Sequence, residues 1–410
     1  MKVIIASCVF PPEPVVSAKT SMDVAQYFHE QGHEVIVACP TPSRNVSKAD
    51  ADEKVASMSL PFLVKRLFAI SSGKSGFLSR FVENVSYGLS VFFFLLKQRK
   101  VDVVYANVWP VFSLGLLLLA CKIKGIKVVA SVQDLYPESL AAQRRLSNTG
   151  VIYKVLFFLD SFVARRCDQI IVISDGFKTS YTQERGINEG KITVIRNWVK
   201  SAQVTVMDKA LARAQLAAQT SIILADDDVV CVYGGNMGVA SGLDEFMSHI
   251  GMVDNRIIFL LAGDGSLVPG LRRMVQQRGL ESRVKFLVPW PAELTSIAFG
   301  AADLLLLPIA AGQEFASVPS KLITYLLAAR PIMLLTNSRS ESAIELKNSG
   351  AGFCVEERSD GAISSCLDGF VRLSPEERMT MGRSGRAYAE NFYSSDLALA
   401  KINTIFERLV

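Results

Sequence analysis

Apolar and polar positions along this chain fall into two alternating regimes. Short apolar runs recur between longer stretches whose apolar positions return at helical spacing. In the first half the runs are Lys2–Val9, Val35–Cys39, Val101–Ala106, Lys127–Val132, Ile170–Ile173 and Ile192–Ile195. In the second half they are Val229–Tyr233, Ile257–Ala262, Val284–Val288, Asp303–Ile309 and Pro331–Leu335. Each is too short for an ordinary helix and reads as a strand buried on both faces, so the chain is α/β with parallel sheets. Gly32 stops the first helix, and Arg330-Pro331 stops the helix that begins near Ser320. Residues 40–75 are polar and read as a loop. Phe77–Lys100 reads as an amphipathic helix with a very apolar end, Val91–Leu96. A polar stretch at 200–228 reads as the connection between two domains, and Ser374–Val410 reads as mostly helical.

The rhythm restarts after that connection, and 410 residues exceed what one hydrophobic core usually organises. Two domains follow, residues 1–200 and residues 201–393, with a last helix at about 394–410. Charge separates them. Residues 1–205 hold 25 Lys and Arg against 16 Asp and Glu, a net +9, while residues 206–410 hold 19 against 23, a net −4. The basic half suits an anionic surface or acceptor. Nucleic acid is disfavoured, because no basic stripe interleaves with aromatics. Seven scattered cysteines without a CxxC pair read as reduced thiols, most of them (Cys8, Cys39, Cys121, Cys231, Cys354) in apolar runs. With three histidines, and with Gly32 between His29 and His33, no metal site is expected. Neither a secretory leader nor a spanning helix is predicted, so the chain is expected in the cytoplasm.

The candidate chemistry sits where strands end. Gly234-Gly235-Asn236, Gly263-Asp264-Gly265 and Pro289-Trp290 follow three successive strands of the second half. The glycines let backbone N–H groups approach a phosphate, and Trp290 is placed to pack a base or to plug the next helix. Pro319-Ser320-Lys321-Leu322 then opens a helix at the end of a fourth strand, putting a full cation beside bare helix N–H groups. In the first half Gln133-Asp134-Leu135-Tyr136-Pro137-Glu138-Ser139 follows a strand in the same way, and so does Ser174-Asp175-Gly176. Ends of parallel strands are where open α/β sheets bind ligands.

These segments resemble, in order, the family-4 retaining glycosyltransferases of the GT-B fold, and within them the branch that builds bacterial O-antigen, capsule and colanic-acid-type polysaccharides. The resemblance rests on five stretches: the Pro-rich loop and GHEVIV, the Asp134–Ser139 signature, Asn197-Trp198-Val199, the glycine turns, and Pro319-Ser320-Lys321 closed by Ala328-Ala329-Arg330-Pro331. It implies two Rossmann-like domains facing across a cleft, with the C-terminal helix crossing back to the first. It implies transfer of a sugar, with retention and without a metal, from a nucleoside-diphosphate sugar to a lipid-linked saccharide at the inner face of the membrane. Donor and phosphate would fall to Gly235, Asn236, Gly263, Asp264, Gly265, Trp290, Pro319, Ser320, Lys321 and Leu322. Ser17, Tyr136, Glu138 and Ser174 would lie on the acceptor side, with Asp134 and Glu314 catalytic. The chain departs from the pattern at Val15 and Val16, where relatives carry glycines. The family's Glu-x7-Glu falls on Ala316 and Thr324, leaving Glu314 to serve, and its Arg and Lys after the first donor-domain strand fall on Asn236 and Ser241. Arg272 or Arg273 would then assist Lys321. A non-catalytic partner of an assembly complex and a nucleotide-sugar 2-epimerase are the alternatives. The membrane contact is expected from Phe92, Phe93, Phe94 and Leu95.

Overall fold

The computed structural model describes residues 1–13, 15–42, 59–70, 77–108, 111–142, 146–198, 204–251, 253–314 and 320–410. The chain divides into two compact units, Met1–Asn197 with Asp396–Val410, and Trp198–Ser395.

The first unit runs β1 (Lys2–Ser7), α1 (Val16–Glu30), β2 (Glu34–Pro40), β3 (Leu63–Leu67), α2 (Phe77–Lys97), β4 (Val103–Asn107), α3 (Phe112–Lys124), β5 (Lys127–Val132), α4 (Glu138–Ala142), α5 (Val151–Ala164), β6 (Gln169–Val172), α6 (Asp175–Thr179) and β7 (Ile192–Val194). Its seven strands are parallel in the order β3-β2-β1-β4-β5-β6-β7. Winding reverses between β1 and β4, so their carboxyl ends diverge into a crevice. Strands β1, β4 and β5 are buried almost throughout, which is why they read as continuous apolar runs. Helices α2, α3 and α5 cover one core, contributing Tyr87, Val91, Leu95, Leu117 and Val163.

Three expectations are corrected here. The polar stretch 40–75 contains a strand, β3, which pairs parallel with β2 at the sheet edge. Lys65 is exposed and Arg66 is half-buried over the Phe10 ring, so the apolar run of a central strand is missing. The Arg66 guanidinium bonds the Pro40 and Pro11 carbonyls. The rest of that stretch, 43–58 and 71–76, lies outside the described residues. Second, Leu95 is fully buried in the core of the first unit, so it cannot insert into a membrane, and Phe92 and Phe94 pack against the same core. Third, Cys354 is exposed and Cys8 half-buried rather than in the core; none of the seven cysteines forms a disulfide.

The second unit runs α7 (Lys209–Gln219), β8 (Val229–Gly234), α8 (Leu243–Ser248), β9 (Ile257–Ala262), α9 (Val268–Gln277), β10 (Val284–Leu287), α10 (Thr295–Gly300), β11 (Leu304–Pro308), α11 (Ser320–Leu327), β12 (Ile332–Leu335), α12 (Glu341–Ser349), β13 (Gly352–Val355), α13 (Asp360–Arg372) and α14 (Pro375–Phe392). Its six strands are parallel in the order β10-β9-β8-β11-β12-β13, and the winding reverses between β8 and β11. Helix α7 lies inside the stretch read as a connection. Asp208 caps it by accepting from the Leu211 N–H at 3.0 Å, and Ala212 and Leu216 enter the core.

The last helix, α15 (Ser395–Leu409), belongs to the first unit apart from its opening residue. Phe406 stacks on Phe28 of α1 with ring centroids 4.5 Å apart. Among the described residues no helix is long and apolar enough to cross a membrane.

Candidate active site

Both reversals of winding carry the polar residues expected of a ligand site. In the second unit β8 ends at Gly234 and β9 at Ala262, and the turns that follow lie against each other. Gly235 has φ +140 and Gly263 φ +141, and a Cβ on Gly263 would stand 1.9 Å from the Gly235 carbonyl oxygen. Only glycine fits that approach. The Gly235 N–H donates to the Ala262 carbonyl at 2.9 Å, and the Met237 N–H to the Asp264 carbonyl at 2.8 Å. Asp264 accepts from the Gly265 N–H at 2.7 Å, so its carboxylate shapes the turn.

Lys321, in the first turn of α11, reaches into this pair of turns. Its ammonium donates to the Tyr233 hydroxyl and, at 3.1 Å, to the Asn236 carbonyl, and lies 4.4 Å from the centre of the Tyr233 ring. Its stem runs so close to Gly235 that a Cβ there would meet Lys321 Cε at 2.3 Å. Burial lowers the ammonium to about 8 and raises the Tyr233 phenol to about 12. Tyr325, one turn further along α11, accepts the Gly234 N–H at 2.7 Å and donates back to the Gly234 carbonyl at 3.1 Å. The end of β8 is thus clamped by the helix that brings the lysine.

The other expected donor residues are placed less uniformly. Asn236 and Asp264 are exposed, and Gly265 is half-buried. Leu322 is wholly buried in the core, so only its backbone could face a ligand; the second turn position of an amphipathic helix points inward here. Trp290 packs edge-on against Phe299, centroids 5.7 Å apart, which makes it a wall beneath Gly234 rather than an open platform for a base. Arg272 lies over the Phe286 ring and Arg273 bonds the Pro269 carbonyl, both partway along α9 and outside its first turn. Pro319, Ala316 and the side chain of Ser320 lie outside the described residues. Glu314 is held by Arg358 at 3.2 Å, and the same guanidinium bonds Glu245 at 2.6 Å and the Ile309 carbonyl at 2.8 Å.

In the first unit a cavity of about 140 Å³ opens at the ends of β1, β4 and β5, lined among others by Cys8, Ser17, Asn107, Ser131, Gln133 and Asp134. Asn107 ties its floor to α1, donating to the Ser17 carbonyl at 3.1 Å and the Ser21 hydroxyl at 2.9 Å. The outer edge of Asp134 meets solvent, yet the surrounding protein desolvates its carboxyl and pushes it up to about 6. A carboxyl raised to about 6 lies in the range useful for proton transfer.

Three residues of the acceptor side are engaged in structure instead. Glu138 receives the Arg185 guanidinium on both oxygens, at 2.7 and 2.8 Å. Arg185 is fully buried and also holds Asp160 at 2.9 Å and the Tyr136 carbonyl at 3.0 Å. Tyr136 is half-buried, its phenol raised to about 12 by burial. Ser174 is buried and caps α6, accepting from the Phe177 N–H at 3.2 Å. Ser17 does line the cavity. Sequence reasoning missed Tyr233, Tyr325, Asn107, Arg185 and Arg358. The aromatic run-in to the glycine turn could have pointed to Tyr233; the others act across long separations that no local pattern signals.

The chain is similar to known proteins along most of its length. Residues 18–203 match the family model Glycosyltransferase Family 4. The chain is 24% identical over 335 residues to a probable glycosyltransferase, WbjE, of Pseudomonas aeruginosa, covering 80% of each chain. It is 24% identical over 382 residues to a putative colanic acid biosynthesis glycosyl transferase, WcaI, of Escherichia coli K12, covering 88% of this chain and 90% of that one. Among solved structures it overlays on Anabaena Alr3699/HepE in complex with UDP, with a TM-score of 0.74 at 15% identity over the whole of both chains. Residues 18–203 are thus similar to family-4 glycosyltransferases, and the two doubly wound units share the GT-B fold of that solved structure.

Proposed function

We propose that the chain transfers a sugar, with retention, from a nucleoside-diphosphate sugar to a lipid-linked saccharide, within bacterial surface-polysaccharide assembly and from the cytoplasmic face of the membrane. One observation carries the donor side: the Lys321 ammonium sits against the Gly235 turn at the start of α11. A leaving diphosphate there meets a full cation and helix N–H groups, an electrostatic term that takes the place of a metal ion. The bond from the anomeric carbon to the diphosphate breaks, and a bond to the acceptor oxygen forms on the same face. The acceptor hydroxyl's proton passes to a base, the role assigned to Asp134 in the first unit. Glu314, oriented by Arg358, is assigned to the sugar side of the donor. The name of the Escherichia coli relative, a colanic acid biosynthesis enzyme, supports polysaccharide assembly, and the UDP of the Anabaena complex supports a uridine nucleotide.

Thr324 stands where the family holds a nucleotide-binding glutamate, which favours a second reading as a non-catalytic partner. One experiment separates them. The protein is incubated with UDP-, GDP- and TDP-sugars and a lipid extract carrying undecaprenyl-diphosphate saccharides. Nucleoside diphosphate release that needs both substrates supports transfer. Nucleotide binding without release under every pairing supports the partner.

A further inference from the structure

Helices α2, α3 and α5 lie side by side as one layer. Gly88 of α2 meets Ser113 of α3, and Gly115 of α3 meets Val163 of α5. Their inner faces fill the core, so their outer faces should be polar. They are not. On α5 the stripe Val151, Val155, Phe158, Phe162 is exposed, with Val151 at 77% and Phe158 at 64%. Its spacing places all four on the side opposite the buried Leu156, Asp160 and Val163. Leu119 and Ile123 continue the apolar surface on α3, the latter 61% exposed, and Phe93 does so on α2 at 57%.

The charges on this layer have one sign. The three helices contain two carboxylates, Glu83 and Asp160. Both are buried and ion-paired, to Arg80 at 2.7 Å and to Arg185 at 2.9 Å. Exposed cations surround the apolar stripe: Lys122 and Lys124 on α3, Lys154 on α5, and Arg165 and Arg166 just beyond it. The Arg166 guanidinium lies over the Phe162 ring at 3.3 Å, a cation joined to the stripe itself.

We infer that the outer faces of α3 and α5 form the docking surface for an anionic lipid bilayer, with the α5 stripe as the inserting element and Phe93 at its margin. A single-signed cationic border around exposed aromatics and aliphatics matches a negatively charged interface with an apolar interior. A second copy of the chain would set these cations against one another. The purpose of the surface rests on the lipid-linked acceptor proposed above; its geometry does not.

The test is sedimentation of the full chain with vesicles of phosphatidylcholine alone or of phosphatidylcholine with phosphatidylglycerol. Pelleting is expected with phosphatidylglycerol and not without it. Val155→Asp with Phe158→Asp, at exposed positions, should lower vesicle partitioning by at least about tenfold. Lys122→Gln with Lys124→Gln should lower it and flatten its salt dependence. An unchanged calorimetric unfolding transition of the first unit in each variant certifies the fold. No pelleting on anionic vesicles, or pelleting indifferent to Val155 and Phe158, overturns the inference. So does a dimer in solution that the paired aspartates dissociate, because the stripe is then a protein interface. Vesicle binding that persists while no sugar is transferred would strike the transferase reading and leave this surface standing.

Discussion

Burial against Tyr233 and the Gly235 turn brings the Lys321 ammonium down to about 8. A diphosphate restores its charge, so binding and protonation are linked. UDP affinity should therefore fall as pH rises past about 8, by at most about tenfold per unit. Lys321→Ala should weaken UDP by about 1.5–3 kcal/mol and remove that dependence. Calorimetric titration between about pH 7.5 and 9.5 measures both, and an unchanged affinity in the folded variant refutes the assignment. Asp134 behaves in the opposite sense. A base with a carboxyl near 6 is active when ionised, so turnover should climb with pH through about 6 and then level. Asp134→Asn should lower turnover by about 10²–10⁴-fold while UDP binding stays intact. A rate that survives the change would make Asp134 a wall of the cavity. Both residues were legible because each follows the carboxyl end of a buried parallel strand. Glu138 and Ser174 share that address and do other things. A polar residue after a strand can bind a ligand, cap a helix or pair with a buried arginine, and composition does not distinguish the three.

At the scale of elements, the turn that closes α11 carries backbone strain. Ala329 has φ +54, in the left-handed region that favours glycine. An alanine there is strained by about 1 kcal/mol. Ala329→Gly should raise the stability of the second unit by up to that amount, read from urea unfolding; a loss would mean that the methyl group packs usefully. Strands with both faces buried were legible because their central positions are apolar. Strand β3 was not, since an edge strand with Lys65 and Arg66 carries no such run. Helix α7 was hidden by the opposite ambiguity, as an Ala- and Gln-rich polar stretch suits a linker and a helix equally. The α5 stripe escaped because a helix apolar on every side reads as core. Only its packed neighbours reveal which side lacks a partner.

At the scale of the molecule, the second unit interrupts the first in sequence, since α15 joins the unit begun by β1. Leu399, Ile402, Ile405 and Phe406 are buried there, worth roughly 6–12 kcal/mol of apolar burial. That is comparable with the whole stability of a typical domain. Deleting residues 395–410 should therefore unfold the first unit and leave the second cooperative. Scanning calorimetry with and without UDP reads this as one surviving, UDP-sensitive transition; two intact transitions would show that the helix is dispensable. The same connectivity sets an order of events on the ribosome. The second unit can complete its fold as soon as α14 emerges. The first must wait, with Phe28 uncovered, until α15 has been made. Nascent chains stalled before α15 should accordingly expose an apolar surface to chaperones that the finished protein no longer shows.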